Sequence, residues 1–135
     1  MIPEEARRRL EPLVGTALGP GDWIDLSPRR INSFAAIIGD RDGEEVPALM
    51  LLALIPGATS TFTLPVHPPV MAINYGIDSC RVLAPASLRD RVRAWSTLTG
   101  LEVFNAWLQL KRRVVLENES GTPVLEAQTV TRWRW

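Results

Sequence analysis

The sequence is poor in the side chains that most often mark a metal site or a disulfide. Its 135 residues include one cysteine, Cys80, and one histidine, His67. This excludes an intrachain disulfide and a zinc site built from several cysteines and histidines. The nine glycines are dispersed and form no phosphate-binding loop. We therefore expect no metal and no cofactor, and we expect Cys80 to be a small packed hydrophobe in a strand.

An excess of charge of one sign is missing as well. Fifteen Lys and Arg balance fifteen Asp and Glu, so the formal net charge is zero. Such a chain has no overall attraction to nucleic acid or to an anionic membrane. The longest strongly apolar stretch, 46–55, is far shorter than the roughly 20 residues that span a bilayer. The first residues carry no apolar segment of the secretory type. We expect a cytoplasmic protein with neither nucleic acid nor membrane as a partner.

Two helices are predicted in the first half of the chain. Ser27 followed by Pro28 is a typical helix start, and Gly39 is a typical stop after a run of apolar residues at helical spacing. A second helix is predicted over 47–55, and it has almost no polar face. A helix that is apolar all round is expected to be buried.

The second half of the chain predicts four strands, over 70–82, 89–99, 104–118 and 123–135. The second strand alternates apolar and polar residues, and residues 119–122 have the composition of a hairpin loop. An apolar helix followed by a long antiparallel meander predicts an α+β domain over residues 1–135, in which the sheet wraps around the central helix.

Several short motifs, taken in order, resemble the MaoC-like hydratase/dehydratase family, which has the hotdog fold. They are WIDLS at 23–27, RINSFA at 30–35, GD at 39–40, ALIP at 53–56, NYGID at 74–78, RVLAP at 81–85 and RVRA at 91–94. The resemblance spans about residues 13–135. It implies a single hotdog domain, action on an acyl thioester of coenzyme A or of acyl carrier protein, and assembly as a homodimer.

The resemblance also implies a catalytic pair. In the family an Asp and a His five residues later form the acid/base dyad, and Asp40 occupies the Asp position. Five residues onward stands Glu45, and only 41–46 separate Asp40 from Pro47, so the family's His and its overhanging segment are missing. Asp40 with Glu45 or Glu44 could replace the dyad if one carboxyl had a raised pKa. The alternative interpretation of this stretch is a solvated acidic turn.

Further candidates lie at the helix start and on the first long strand. The backbone N–H groups of Ala48 and Leu49 could polarise a thioester carbonyl, or they could simply begin a buried helix. Asn74 and Tyr75 match a family motif on the sheet and are candidates for substrate binding or for a structural role. His67 lies in a proline-rich loop, away from the position of the usual dyad.

Tryptophan is abundant, and three of the five (Trp107, Trp133 and Trp135) fall in the last two predicted strands. Arginines that alternate with tryptophans could stack on nucleic acid, but the neutral charge favours sheet packing and a subunit interface. Three functions stay open. They are an acyl-thioester enzyme with altered catalytic residues, a non-catalytic homologue that binds a ligand or pairs with an active subunit, and a hotdog protein recruited to cyclisation or isomerisation.

Overall fold

A computed structural model describes residues 1–39 and 46–135 of the chain. Helices and strands follow in the order α1 (Pro3–Leu10), a short 3₁₀ helix (Glu11–Leu13), β1 (Ala17–Leu18), β2 (Ile24–Asp25), α2 (Pro28–Ile38), α3 (Ala48–Ala53), α4 (Ile55–Ala58), β3 (Met71–Val82), β4 (Arg91–Phe104), β5 (Trp107–Asn118) and β6 (Pro123–Arg134).

The predicted start and end of α2 are confirmed. The Ser27 hydroxyl accepts a hydrogen bond from the Arg30 N–H at 3.2 Å, which satisfies one of the orphan donors of the first turn. Gly39 ends the helix with a left-handed φ of 75°, a conformation that glycine adopts without a steric penalty.

The long strands form an antiparallel sheet in the order β1-β4-β5-β6-β3, and β2 also pairs with β4. All four predicted strands are confirmed. β4 continues to Phe104 instead of stopping at Thr99, because a register shift between Leu98 and Gly100 accommodates the glycine inside the strand.

The predicted central helix is divided into two short helices that meet at Leu54. Met50, Leu51 and Ile55 are buried against the sheet, whereas Leu49 is 61% exposed. The expectation that this helix is buried on all sides is therefore wrong for a single chain. The sheet covers only one side of the helix.

The core is divided into two clusters. The first cluster lies between α2, α3, α4 and one half of the sheet; its members include Leu26, Ile31, Met50, Leu51, Ile55, Val114, Leu116 and Ala127. The second cluster lies under α1, and its buried members are Ala6, Leu10, Leu98, Leu108 and Leu110. Helix α1 was not predicted, and it covers the part of the sheet that the central helix does not reach.

Trp133 and Trp135 pack against the second cluster, with their rings edge to face at 6.1 Å. The predicted role of these tryptophans in sheet packing is thereby confirmed. Cys80, in contrast, is exposed, so the expectation that it is packed is wrong. The reason is that β3 is an edge strand whose residues are exposed over nearly their whole length.

Candidate functional site

An arginine interrupts the apolar row that β5 directs into the core. Leu108, Leu110, Val114 and Leu116 are 0% exposed, and by alternation along the strand Arg112 shares their face of the sheet. We call this the inner face. The leucines at 108 and 110 belong to the second cluster and the residues at 114 and 116 to the first, so Arg112 lies at the boundary between the two clusters.

Two cavities open on either side of this boundary. The first cavity has a volume of about 220 Å³ and is lined by Leu52, Ala53, Ile55, Pro56, Asn74, Gly76, Ile77, Arg112, Thr129, Val130 and Thr131. The second has a volume of about 280 Å³, and its lining includes Phe62, Leu64, Ser96, Leu98 and Trp133. Pro56, Asn74, Arg112 and Thr131 line both cavities, so the two adjoin beneath α4.

Polar side chains from all four long strands meet near Arg112. Ser96 on β4 is 2% exposed, and Thr129 and Thr131 on β6 are 8% and 5% exposed. Arg112 stands opposite Thr129 in the β5–β6 register, and Asn74 stands opposite Thr131 in the β3–β6 register. We call these five residues the polar band.

The charge of Arg112 is not compensated by the described part of the chain. Its Nη2 donates to the Thr131 hydroxyl at 3.2 Å, and its Nε is shielded from solvent without a hydrogen-bond partner. The Thr129 hydroxyl is buried without a partner too. Burial lowers the pKa of Arg112 below its ordinary value. Among the described residues no carboxylate forms an ion pair with Arg112, and neither cavity is lined by Asp or Glu.

The predicted catalytic residues Asp40, Glu44 and Glu45 lie outside the described residues. The chain that follows them is held in place, because the Val46 N–H donates to the Ala86 carbonyl at 3.1 Å. Helix α3 begins directly afterwards at Ala48, which is half-buried, and continues through the exposed Leu49.

Asn74 and Tyr75 separate to opposite faces of β3. Asn74 lines both cavities. Tyr75 is 55% exposed, and its ring stacks on the Arg132 guanidinium, 3.4 Å from ring centroid to Cζ. The structure therefore brings Asn74 to the cavities and engages Tyr75 in a cation–π contact elsewhere.

His67 lies with the second cluster. Its carbonyl accepts a hydrogen bond from Trp135 Nε1 at 2.7 Å, and the preceding Val66 packs against the second cluster. The start of α3 belongs with the first cluster, through Val46 and Met50. The structure thus associates His67 with the other end of the core.

Arg112 is not among the site residues predicted from the sequence, although the residue pattern of its strand could have indicated it. The strand prediction over 104–118 covers it, and the inward row reads Leu, Leu, Arg, Val, Leu at every second residue from 108 to 116. A single cation in an otherwise apolar row is unusual, because burying a charge is unfavourable unless the charge is paired.

The chain is similar from end to end to a curated protein of known activity. It is 30% identical to 3-hydroxyacyl-thioester dehydratase Z of Mycobacterium tuberculosis, over 92% of this chain and 93% of that protein. No family model matches the chain.

Solved structures share the fold. The unliganded R-hydratase PhaJ1 from Pseudomonas aeruginosa superposes with a TM-score of 0.66 at 20% identity, covering 90% of this chain and 81% of that one. The C-terminally truncated HadBC complex, a (3R)-hydroxyacyl-ACP dehydratase from Mycobacterium tuberculosis, gives a TM-score of 0.65 at 13% identity, covering 89% of this chain and 96% of that one. At such identities the likeness concerns the fold alone.

Within residues 1–39 and 46–135, no helix is long and apolar enough to cross a membrane. The same residues contain no group of three or more His, Cys, Asp or Glu side chains arranged to hold a metal ion.

Proposed function

The chain belongs to the MaoC-like hydratase/dehydratase family of hotdog proteins, and from this premise we propose that it catalyses the reversible dehydration of a 3-hydroxyacyl thioester. The observation that carries the proposal is the similarity to a 3-hydroxyacyl-thioester dehydratase over nearly the whole of both chains. The carrier of the acyl group is coenzyme A or acyl carrier protein.

The reaction requires one base and one acid near the same water. In the dehydration direction a base takes a proton from C2, the C3–O bond breaks, and an acid protonates the leaving hydroxyl to give water. Hydration is the reverse. We assign these roles to Asp40 together with Glu45 or Glu44, and the N–H groups of Ala48 and Leu49 would polarise the thioester carbonyl.

The cavities beneath α4 support the binding of an acyl chain. Part of the wall of the first cavity is aliphatic, with Leu52 and Ile55 from the helices and Ile77 and Val130 from the sheet. These residues follow Ala48 along the helices or face them from the sheet, so a chain anchored at the start of α3 would extend toward the polar band.

The test measures the hydration of crotonyl-CoA and longer enoyl-CoA thioesters by the wild type, Asp40→Asn, Glu45→Gln and Glu44→Gln between pH 4 and pH 9. We expect Asp40→Asn to lower kcat/KM by roughly 10²–10⁴, the contribution of a general acid or base. One carboxyl of the pair must stay protonated, so we expect activity to fall as the pH rises toward neutrality. His67→Ala is the matched control and should retain activity. Undiminished turnover by Asp40→Asn would remove this mechanism.

One observation favours a second candidate, a non-catalytic subunit that pairs with an active one. The chain's single histidine lies with the second cluster, and the HadBC dehydratase is itself a complex. A folded protein that binds acyl thioesters but hydrates none of them, in the wild type or in any variant, would support this candidate.

We also propose that the chain assembles as a homodimer through β3. Within residues 1–39 and 46–135 this strand lies at one edge of the sheet, and Met71, Ile73, Tyr75 and Ile77 expose between 39% and 55% of their surface. An unpaired apolar edge readily accepts another strand.

A further inference from the structure

Arg112 is half-buried and has no opposite charge beside it among the described residues. Its guanidinium stands in a row whose other members are three fully buried leucines and one fully buried valine, and its one hydrogen-bond partner among the described residues is a neutral hydroxyl. A buried charge is retained without penalty only when an opposite charge and hydrogen bonds compensate it. A ligand with an anionic oxygen, bound in the cavities that Arg112 lines, would provide both.

The residues around Arg112 favour a carboxylate over a phosphate as the bound anion. Guanidinium groups bind both carboxylate and phosphate in a forked geometry. Here the neighbouring groups that can donate are few and neutral, namely the Asn74 amide and the Thr131 hydroxyl, while Leu52, Ile55 and Val130 provide aliphatic walls. Two oxygens of a planar carboxylate match this small number of donors, and the walls suit the hydrocarbon chain that would carry it. A phosphate dianion would leave oxygens unsatisfied against apolar side chains.

The position of the cavity fits the far end of an acyl chain. The first cavity is lined by Leu52 and Ala53, which lie four and five residues beyond Ala48 on α3. At about 1.5 Å per helical residue, this places the near wall of the cavity roughly 6–8 Å from the start of α3. That distance corresponds to a short acyl chain whose thioester lies at the helix start.

We propose that Arg112 binds a terminal carboxylate of the substrate, so that the acyl group is derived from a dicarboxylic acid and its second carboxylate lies in the polar band. The inference rests on the proposed function for the position of the thioester. The carboxylate site itself rests on Arg112, Thr131 and Asn74, which line both cavities.

The first experiment compares two saturated thioesters by isothermal titration calorimetry. Adipyl-CoA and hexanoyl-CoA have the same chain length, and neither can be dehydrated, so binding is measured without turnover. We expect the wild type to bind adipyl-CoA about tenfold or more tightly than hexanoyl-CoA. Arg112→Met should lose this preference and keep its affinity for hexanoyl-CoA, while Arg112→Lys should retain part of it. Equal affinities in the wild type would overturn the proposal.

Arg113→Met is the matched control. Arg113 is the next residue of β5, lies on the other face, and pairs with Glu126 at 2.6 Å. It should keep the full preference for adipyl-CoA. If neither thioester binds to the wild type, the proposed function fails, and free adipate then tests the carboxylate site alone. Saturable binding of adipate that Arg112→Met abolishes would support the site, and the absence of binding would overturn it.

The second experiment measures thermal stability without ligand. If Arg112 is retained for a ligand, Arg112→Met should unfold at the same temperature as the wild type or at a higher one, because an uncompensated charge is removed. Adipyl-CoA should raise the Tm of the wild type and leave that of Arg112→Met unchanged. A marked loss of stability in Arg112→Met, alone or with dissociation of the dimer, would assign Arg112 to a structural ion pair and overturn the proposal.

Discussion

Arg112 and Glu117 lie on the same strand, β5, but their charges differ in how they are buried and paired. Glu117 accepts hydrogen bonds from Arg93 Nε at 2.8 Å and from Trp95 Nε1 at 3.0 Å. Burial raises the pKa of Glu117, but the hydrogen bonds from Trp95 and Arg93 outweigh it and hold the pKa below its ordinary value. Among the described residues Arg112 has one neutral partner, the Thr131 hydroxyl, and no carboxylate, and this contrast marks it as a candidate for binding.

We expect Glu117→Gln to lower the free energy of unfolding by about 0.5–1 kcal/mol at pH 7. Because the pKa of Glu117 is lowered in the folded state, its contribution is complete above the unfolded value of 4.5 and is lost as the pH falls through the lower, folded value. Urea unfolding at pH 7 and at pH 3 measures the difference. The curves of wild type and variant should converge at the acidic pH.

Glu126→Gln provides the comparison for this measurement. Its pair with Arg113 is more exposed, with side-chain exposures of 32% for Glu126 and 48% for Arg113, so we expect a smaller change. A difference between wild type and Glu117→Gln that is as large at pH 3 as at pH 7 would contradict the assigned role of the charge.

Among the contacts between helices and strands, the close packing of the segment before β2 fixes the position of α4 against the sheet. The Gly21 N–H donates to the Ala94 carbonyl at 2.9 Å, and the Cα of Gly21 lies so close to the Ala58 carbonyl that a Cβ would collide with it. Since α4 carries Pro56, which lines both cavities, this close approach also sets the shape of the site.

Gly21→Ala is expected to lower the free energy of unfolding by about 1–3 kcal/mol, because backbone must move to admit the methyl group. Gly57→Ala is the matched control, since a Cβ there meets no atom within 4 Å and the residue is helical. It should be neutral or stabilising by up to about 1 kcal/mol. Chemical denaturation of both variants measures this, and equal effects would contradict the close packing of Gly21.

For the whole molecule, the free edge of the sheet and the exposed side of the central helix indicate association. Ile77 on β3 is 47% exposed, and Leu49 on α3 is 61% exposed. Both are apolar, and an unpaired apolar strand at the edge of a sheet is a surface on which a second chain can pair.

We expect sedimentation at micromolar concentration to give twice the chain mass of 15.0 kDa. Ile77→Lys should shift the protein toward the single chain, because two like charges would meet near the middle of the paired edge. Val70→Lys is the matched control, since Val70 is 84% exposed and precedes β3. A wild-type protein that sediments as a single chain would contradict the homodimer.

Much of the architecture could be predicted from local signals. Serine and proline at the start of α2, glycine at its end, and alternation in β4 depend on residues close in sequence, and each was confirmed. The bounds of β4 and the break at Leu54 could not be predicted, because a bulge and a helix division depend on what packs against them.

Asn74 was predicted as a site residue, and the fold places it in the cavities. The roles of Asp40, Glu44 and Glu45 stay predictions.

The α+β hotdog fold and the family could be inferred from the sequence alone, because hydrophobic period and helix caps depend on neighbouring residues and the order of the motifs is visible along the chain. Tertiary packing, in contrast, sets the position of Arg112 between two core clusters, where its Nε has no partner among the described residues, and that of Cys80 on an exposed edge. Burial and electrostatic compensation are set by residues far apart in the chain, here on α4, β3, β5 and β6, and these meet only when the sheet has formed.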